Sequence, residues 1–117
     1  MAAATLSAML PNAEHAFVEP AKLRDYLLAH MHPVGRFKAR FFCGLGYTPD
    51  GWQVLRDDLL RLASSGGAEA GAPGFYGQKF TVSGTPLGPN GRSATVKSVW
   101  LVPADGDAPR FITAYPG

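Results

Sequence analysis

The sequence predicts an α+β fold, with N-terminal helices packed on one face of a C-terminal antiparallel β-sheet. Three observations carry that expectation. Up to about Ala63 the apolar residues recur at three- and four-residue spacing, the period of a helix. From Tyr76 onward they alternate with a period of two, the period of a strand. The strand-like segments follow one another through turns, so they pair antiparallel; a parallel pair needs a crossover of about a dozen residues or more.

Residues 1–9 read as a flexible tail, and LPNAEH contains a turn. EPAKLRDYLLAH, residues 19–30, is the first helix. Pro20 suits the first helical position, where the missing N–H costs nothing. Leu23, Tyr26, Leu27 and His30 keep helical spacing, and Pro33 blocks any extension. A second helix is expected from about Pro33 to Leu45, stopped by Gly44 and Gly46. TPDGWQVLRDDLLRLASS gives the third, with Thr48 as its N-cap, Pro49 at its first position and Asp50 favourable to the dipole. Trp52, Leu55, Leu59 and Leu62 make its core stripe.

Residues 64–74, rich in Gly, Ser and Ala, read as an internal flexible loop. YGQKFTVSG is a strand that sets Tyr76, Phe80 and Val82 on one side. GPNG is a turn, and RSATVKSVWLV is a strand that alternates Val96, Ser98 and Trp100 with Lys97, Val99 and Leu101. PADGDAP supplies a second turn before the last strand, RFITAYP. Strict alternation there puts Phe111, Thr113 and Tyr115 on one face and Arg110, Ile112 and Ala114 on the other. A weak strand at Ala16–Val18 is the candidate fourth member of the sheet. Helices on one face leave the other open to a ligand or partner.

With 117 residues the chain suits a single domain, 1–117, and 46% hydrophobic with 17% charged residues describes a globular class. No apolar run reaches the ~20 residues of a membrane helix. MAAATLSAML has no basic residue ahead of its apolar stretch, which argues against a secretory signal. A cytoplasmic location with no membrane partner is the expectation. Cys43 has no second cysteine to pair with and reads as structural. The spacing of His, Cys, Asp and Glu shows no CxxC or HExxH arrangement, and no phosphate-loop or dinucleotide fingerprint appears. The expectation is therefore no metal and no cofactor.

Net charge is only +2, but its distribution is uneven. From Tyr26 to Pro49 there is no Asp or Glu, while His30, His32, Arg36, Lys38 and Arg40 all lie there. Such a segment attracts a polyanion locally. On a helical wheel at about 100° per residue, Val34, Phe37, Phe41, Phe42 and Leu45 share an apolar arc. Arg36 and Arg40 fall opposite it, where they are either a solvated face or contacts to an RNA backbone. Lys38 falls inside the arc. A lysine there either snorkels, its stem on the core and its ammonium in water, or delivers a cation into a cleft. His32, just before Pro33, belongs at a helix N-terminus, a place suited to a phosphate and to a neutral imidazole. It reads as a cap or as a general base.

LPNAEHAFVEPAKLRDYLL, HPVGRFKARFFCGLGY, FYGQKF, GPNGRSATVKSVW and PRFITAYP together resemble a small bacterial domain family similar to the barnase/EndoU/colicin/RelE superfold of nuclease toxins. The resemblance runs from about Leu10 to Pro116, and HPxGxxKAxFF with PRxxTAYP is its distinctive combination. It implies metal-independent RNA cleavage and a small cognate antitoxin or immunity protein. Carried onto this sequence, its motif residues are His32, Lys38, Arg110, Thr113 and Tyr115, with Trp100 in the core. His32 would take the proton of the attacking 2′-OH. Lys38 and Arg110 would stabilise phosphoryl charge, Thr113 would orient the phosphate, and Tyr115 would stack on a base or donate to the leaving oxygen. One departure stands out: barnase-like enzymes use a Glu base, and neither motif contains an acid. The competing expectation is a non-enzymatic module that binds a protein through the open sheet face.

Overall fold

A computed structural model describes residues 9–28, 36–65 and 67–117. Its elements run helices first and strands second, so the fold is α+β. After a 3-10 turn at Ala13–His15, α1 (Pro20–Lys22) continues as a π-helical turn, Leu23–Leu27. The wider turn, closed by the Leu28 N–H donating to the Leu23 carbonyl at 2.8 Å, lets Leu23, Leu27 and Leu28 all face the core.

α2 (Arg36–Cys43) buries Ala39 and Phe42 and exposes Arg40. α3 (Trp52–Ala63) buries Leu55, Leu59 and Leu62 along the expected stripe, with Trp52 half-buried at its start. It opens three residues later than Pro49. Thr48 Oγ1 accepts the Gly51 N–H at 3.0 Å and so caps a turn, but Gly51 itself stays outside the helix at φ −101° and ψ 33°. Glycine loses the most backbone freedom on entering a helix, which is why the helix starts beyond it.

Four strands form one antiparallel sheet in chain order: β1 (Ala68–Gly74), β2 (Gly77–Gly84), β3 (Val96–Pro103) and β4 (Arg110–Pro116). The stretch 68–74, expected as part of a loop, is therefore a strand. It pairs through Ala68 with Val82, Glu69 with Thr81 and Ala70 with Phe80. Pairing with β2 overrides its poor intrinsic preference, because strand propensity is dominated by neighbours. The fourth strand is thus β1 and not Ala16–Val18. That segment contributes one parallel bridge, Phe17 to Arg110, in which Phe17 N–H donates to the Pro109 carbonyl and Phe111 N–H donates to that of Phe17, both at 3.0 Å.

β2 and β3 keep strict alternation, with Phe80, Val82, Val96, Ser98 and Trp100 buried. β4 does not. Val99 pairs with Thr113 and Trp100 with Phe111, so Ile112 is an extra residue in β4, a β-bulge. Phe111 and Ala114 are therefore the buried residues of β4. Thr113 lies opposite Val99, Tyr115 opposite Lys97 and Arg110 opposite Leu101, on the face away from Trp100. The expected grouping of Phe111 with Thr113 and Tyr115 is corrected by that one residue.

α1 and α2 pack against β4, and α3 packs against β2. The core between helices and sheet centres on Trp100, whose ring meets Phe111 edge-on at 5.3 Å. Its indole N–H donates to Ser98 Oγ at 2.9 Å, and Ser98 Oγ donates onward to the Val82 carbonyl at 2.9 Å. The buried Ser98 hydroxyl is thus satisfied twice, as burial demands. Among the described residues no helix is long and apolar enough to cross a membrane.

Candidate functional site

Lys38 sits one turn before the buried Phe42 on α2 and is itself half-buried, its stem along the core side of the helix. Its Nζ donates to Thr113 Oγ1 at 3.2 Å. The two residues are 75 positions apart in the chain, so only the docking of α2 against β4 brings them together. They share an open hollow of about 470 Å³ with Glu19, Ala21, Lys22 and Ile112. That volume falls in the range of small-ligand sites. Ile112 and Thr113 are adjacent yet line the same hollow, which unbroken alternation would forbid; the bulge permits it.

The hollow contains two ammonium groups, Lys22 and Lys38, one carboxylate, Glu19, and one hydroxyl, Thr113. A phosphate placed there would meet cations on a partly apolar support, where attraction is stronger than in bulk water. Glu19 and Lys22 lie outside the HPxGxxKAxFF and PRxxTAYP motifs. They come from the first turn of α1 and its cap, just ahead of the acid-free segment that drew attention to the cations.

The remaining sequence-derived candidates are placed differently. Arg110 is exposed at the start of β4, its guanidinium 5.6 Å over the Phe17 ring, and does not line the hollow. It stands two register positions from Thr113, ~7 Å along the strand. Tyr115 is half-buried two register positions further on, opposite Lys97. Arg40 is exposed on α2. His32, His30 and the side chain of Arg36 lie outside the described residues.

Across β2, β3 and β4 the open face carries Lys79, Thr81, Ser83, Lys97, Val99, Leu101, Arg110, Thr113 and Tyr115. Three cations and four hydroxyls stand there, and none of these three strands contains an acid. Such a surface complements an anionic chain.

Two other chemically suggestive groups are structural. Burial pushes the Cys43 thiol up, the opposite of what a reactive cysteine needs. Burial and a hydrogen bond to Asp58 push the Tyr47 hydroxyl well above the usual tyrosine range, so it stays a donor. It donates to Asp58 Oδ2 at 2.7 Å, while Asp58 Oδ1 takes Arg61 at 2.7 Å; the set ties the end of α2 to α3.

Helices packed on one face of a four-stranded antiparallel sheet, with Lys38 and Thr113 meeting at its β4 edge, define a small α+β domain class with an anion-suited hollow. The chain belongs to the family described as Domain of unknown function (DUF6883), whose pattern matches residues 9–117. Among solved structures it is similar to a chain of the contact-dependent growth inhibition toxin – immunity protein complex from Klebsiella pneumoniae 342. The two superpose with a TM-score of 0.70 at 24% sequence identity, over 92% of this chain and 97% of that one. At that identity the likeness shows a shared fold. No curated protein matches the sequence.

Proposed function

We propose that this chain is a toxin-class endoribonuclease that cleaves RNA without a metal and is restrained by a cognate immunity or antitoxin protein. The observation that carries the reading is the Lys38–Thr113 hydrogen bond at the hollow's wall. It holds a cation and a hydroxyl in one place on rigid elements, as charge stabilisation at a phosphate requires. The open face of β2, β3 and β4 beside it, which holds no acid, with Arg110 and Tyr115 on β4, suits the rest of an RNA strand. The fold shared with a chain of a toxin–immunity complex supports both the toxin class and the cognate partner.

In the proposed reaction the ribose 2′-oxygen attacks the adjacent phosphorus as the P–O5′ bond breaks. The products are a 2′,3′-cyclic phosphate and a 5′-hydroxyl. His32 takes the 2′-OH proton, and Glu19 is a second group positioned at the hollow to do so. Lys38 and Arg110 stabilise the phosphoryl oxygens, Thr113 orients the phosphate, and Tyr115 stacks on a base or protonates the leaving oxygen. Arg36 and Arg40 meet the RNA backbone.

The test incubates the purified chain with RNA in excess EDTA and follows fragment ends and thermal melting together. The native chain is expected to release cyclic-phosphate ends. Lys38→Met is expected to melt like the native chain and cut ~10 to 1,000-fold more slowly, the range for losing one charge-stabilising group. His32→Ala and Glu19→Gln then identify the base by which one removes the acid limb of the pH–rate profile. Intact RNA, cleavage abolished by EDTA, or full activity in folded Lys38→Met would overturn the proposal.

A further inference from the structure

We infer that the tip of the β1–β2 hairpin, Phe75 with Tyr76, is a docking surface for a protein partner that presents an apolar socket with a basic rim. This inference stands apart from the ribonuclease reading, since the tip lies at the opposite edge of the sheet from Lys38 and Thr113. Gly77 pairs with Pro103, four residues along β3 from the Val99 that faces Thr113, and β2 is two strands from β4. Strand geometry puts the tip ~15 Å or more from the hollow.

Three observations converge on the tip. Phe75 is 98% exposed, the most exposed of the large apolar residues among those described, and Tyr76 is 47% exposed. Their rings meet each other edge-on at 5.9 Å, so they form one aromatic projection. Secondly, turn chemistry does not explain them. Gly74 pairs with Gly77, leaving Phe75 and Tyr76 as a two-residue hairpin loop. Such loops favour Asn-Gly or similar pairs at positive φ. Here neither aromatic has positive φ, and the unusual conformation moves to Gly77 at φ +136°, where a Cβ would collide with the Val102 carbonyl oxygen. Glycines on both sides do the bending; the Tyr76 ring lies over Gly74, where a Cβ would collide with it, and Phe75 projects outward.

The third observation is charge. The Ala104 N–H donates to the Tyr76 carbonyl at 3.2 Å and joins the tip to the β3–β4 turn. Residues 73–78 and 103–109 together contain two carboxylates, Asp105 and Asp107, and no Lys, Arg or His. His15 reaches the far side of that turn, beside Asp107. Lys79 and Arg110 stand just beyond these stretches, but an aromatic pair next to exposed carboxylates suits a polyanion less well than it complements an apolar pocket rimmed by Lys or Arg. Half-exposed Pro103 and Val102 flank the aromatics and widen the apolar contact. A buried aromatic anchor inside a polar rim is the usual energetic centre of a protein–protein interface.

The experiment places photoreactive p-benzoylphenylalanine at position 75 of the full chain in its host, with position 87 as control, because Leu87 is also exposed. The adduct is identified, the captured protein is purified, and its Kd is measured against the native chain, Phe75→Ala, Tyr76→Ala and Asp105→Asn/Asp107→Asn. The expected result is a different protein captured from position 75 and not from 87. Phe75→Ala should weaken its binding at least about thirtyfold, the loss of one hot-spot side chain. The double Asn variant should flatten the salt dependence of association. A tip adduct only with RNA, only with a second copy of this chain, or with no macromolecule overturns the inference. So does a partner that binds Phe75→Ala as tightly as the native chain. Phe75 touches no core residue, and matched melting curves will separate lost binding from lost folding.

Discussion

Along β4, side chains arrive from the 9–18 segment, from α1 and from α2, whereas along β1 the described residues bring chiefly the pairing with β2. Both are edge strands of one sheet, so both face the same problem of unpaired N–H and C=O groups. At β4 the solution is cover: Phe17 bridges Arg110, and the helices close over Phe111 and Ala114. At β1 the solution is interruption, with a register shift between Ala70 and Pro73 and a proline that has no N–H to offer. The contrast matches the two proposals made above. Groups proposed to hold a phosphate need several elements to fix them, and several elements meet at β4. A surface proposed to recruit a partner needs side chains the fold itself leaves unused, and such side chains stand at the end of β1.

Three substitutions, read by chemical denaturation, should grade that contrast. Phe111→Ala removes a 2%-exposed ring packed on Trp100 and should cost ~3–5 kcal/mol, the range for emptying an aromatic core site. A loss below about 1 kcal/mol would mean that the covered edge is not where the stability resides. Phe17→Ala removes the 40%-exposed lid on the same edge, together with its contact to Arg110, and should cost ~1 kcal/mol, scaled from full burial. Its bridge is made by backbone and should survive, visible as unchanged amide exchange at Phe111. Ala72→Ser on the exposed β1 should stay within about 0.5 kcal/mol, as surface changes do. A large effect there would show that β1 is held by more than its pairing.

The fold class was readable because two hydrophobic periods meet at one composition change, and long-range packing followed both. β1 was not readable, since AEAGAPG buries only Ala68 and so has no alternation to detect. Lys38 was visible on the wheel because it leans toward the same side as Phe42 one turn on. Its partner was not, because a contact across 75 positions has no local trace. Glu19 and Lys22 escaped for a related reason: their place at the hollow comes from where α1 docks, not from any pattern around them. The faces of β4 were not readable because no Gly or Pro stands at or beside Ile112 to announce the irregularity.

That irregularity makes β4 a segment whose length carries meaning. Period two is a parity code: every residue after an insertion or deletion changes sides. With Ile112 present, Phe111 and Ala114 agree in parity although they are three apart, and Arg110, Thr113 and Tyr115 agree on the other side. Deleting Ile112 would restore perfect alternation with every other residue on its present side, Phe111 and Ala114 inward and Arg110, Thr113 and Tyr115 outward, and would take only Ile112 itself from the hollow. Deleting Ala114 instead would turn Tyr115 inward or make the end of the strand slip against β3. Point substitutions at Ile112 leave the count intact, so this strand should tolerate many changes of letter, and a change of length only at the bulge.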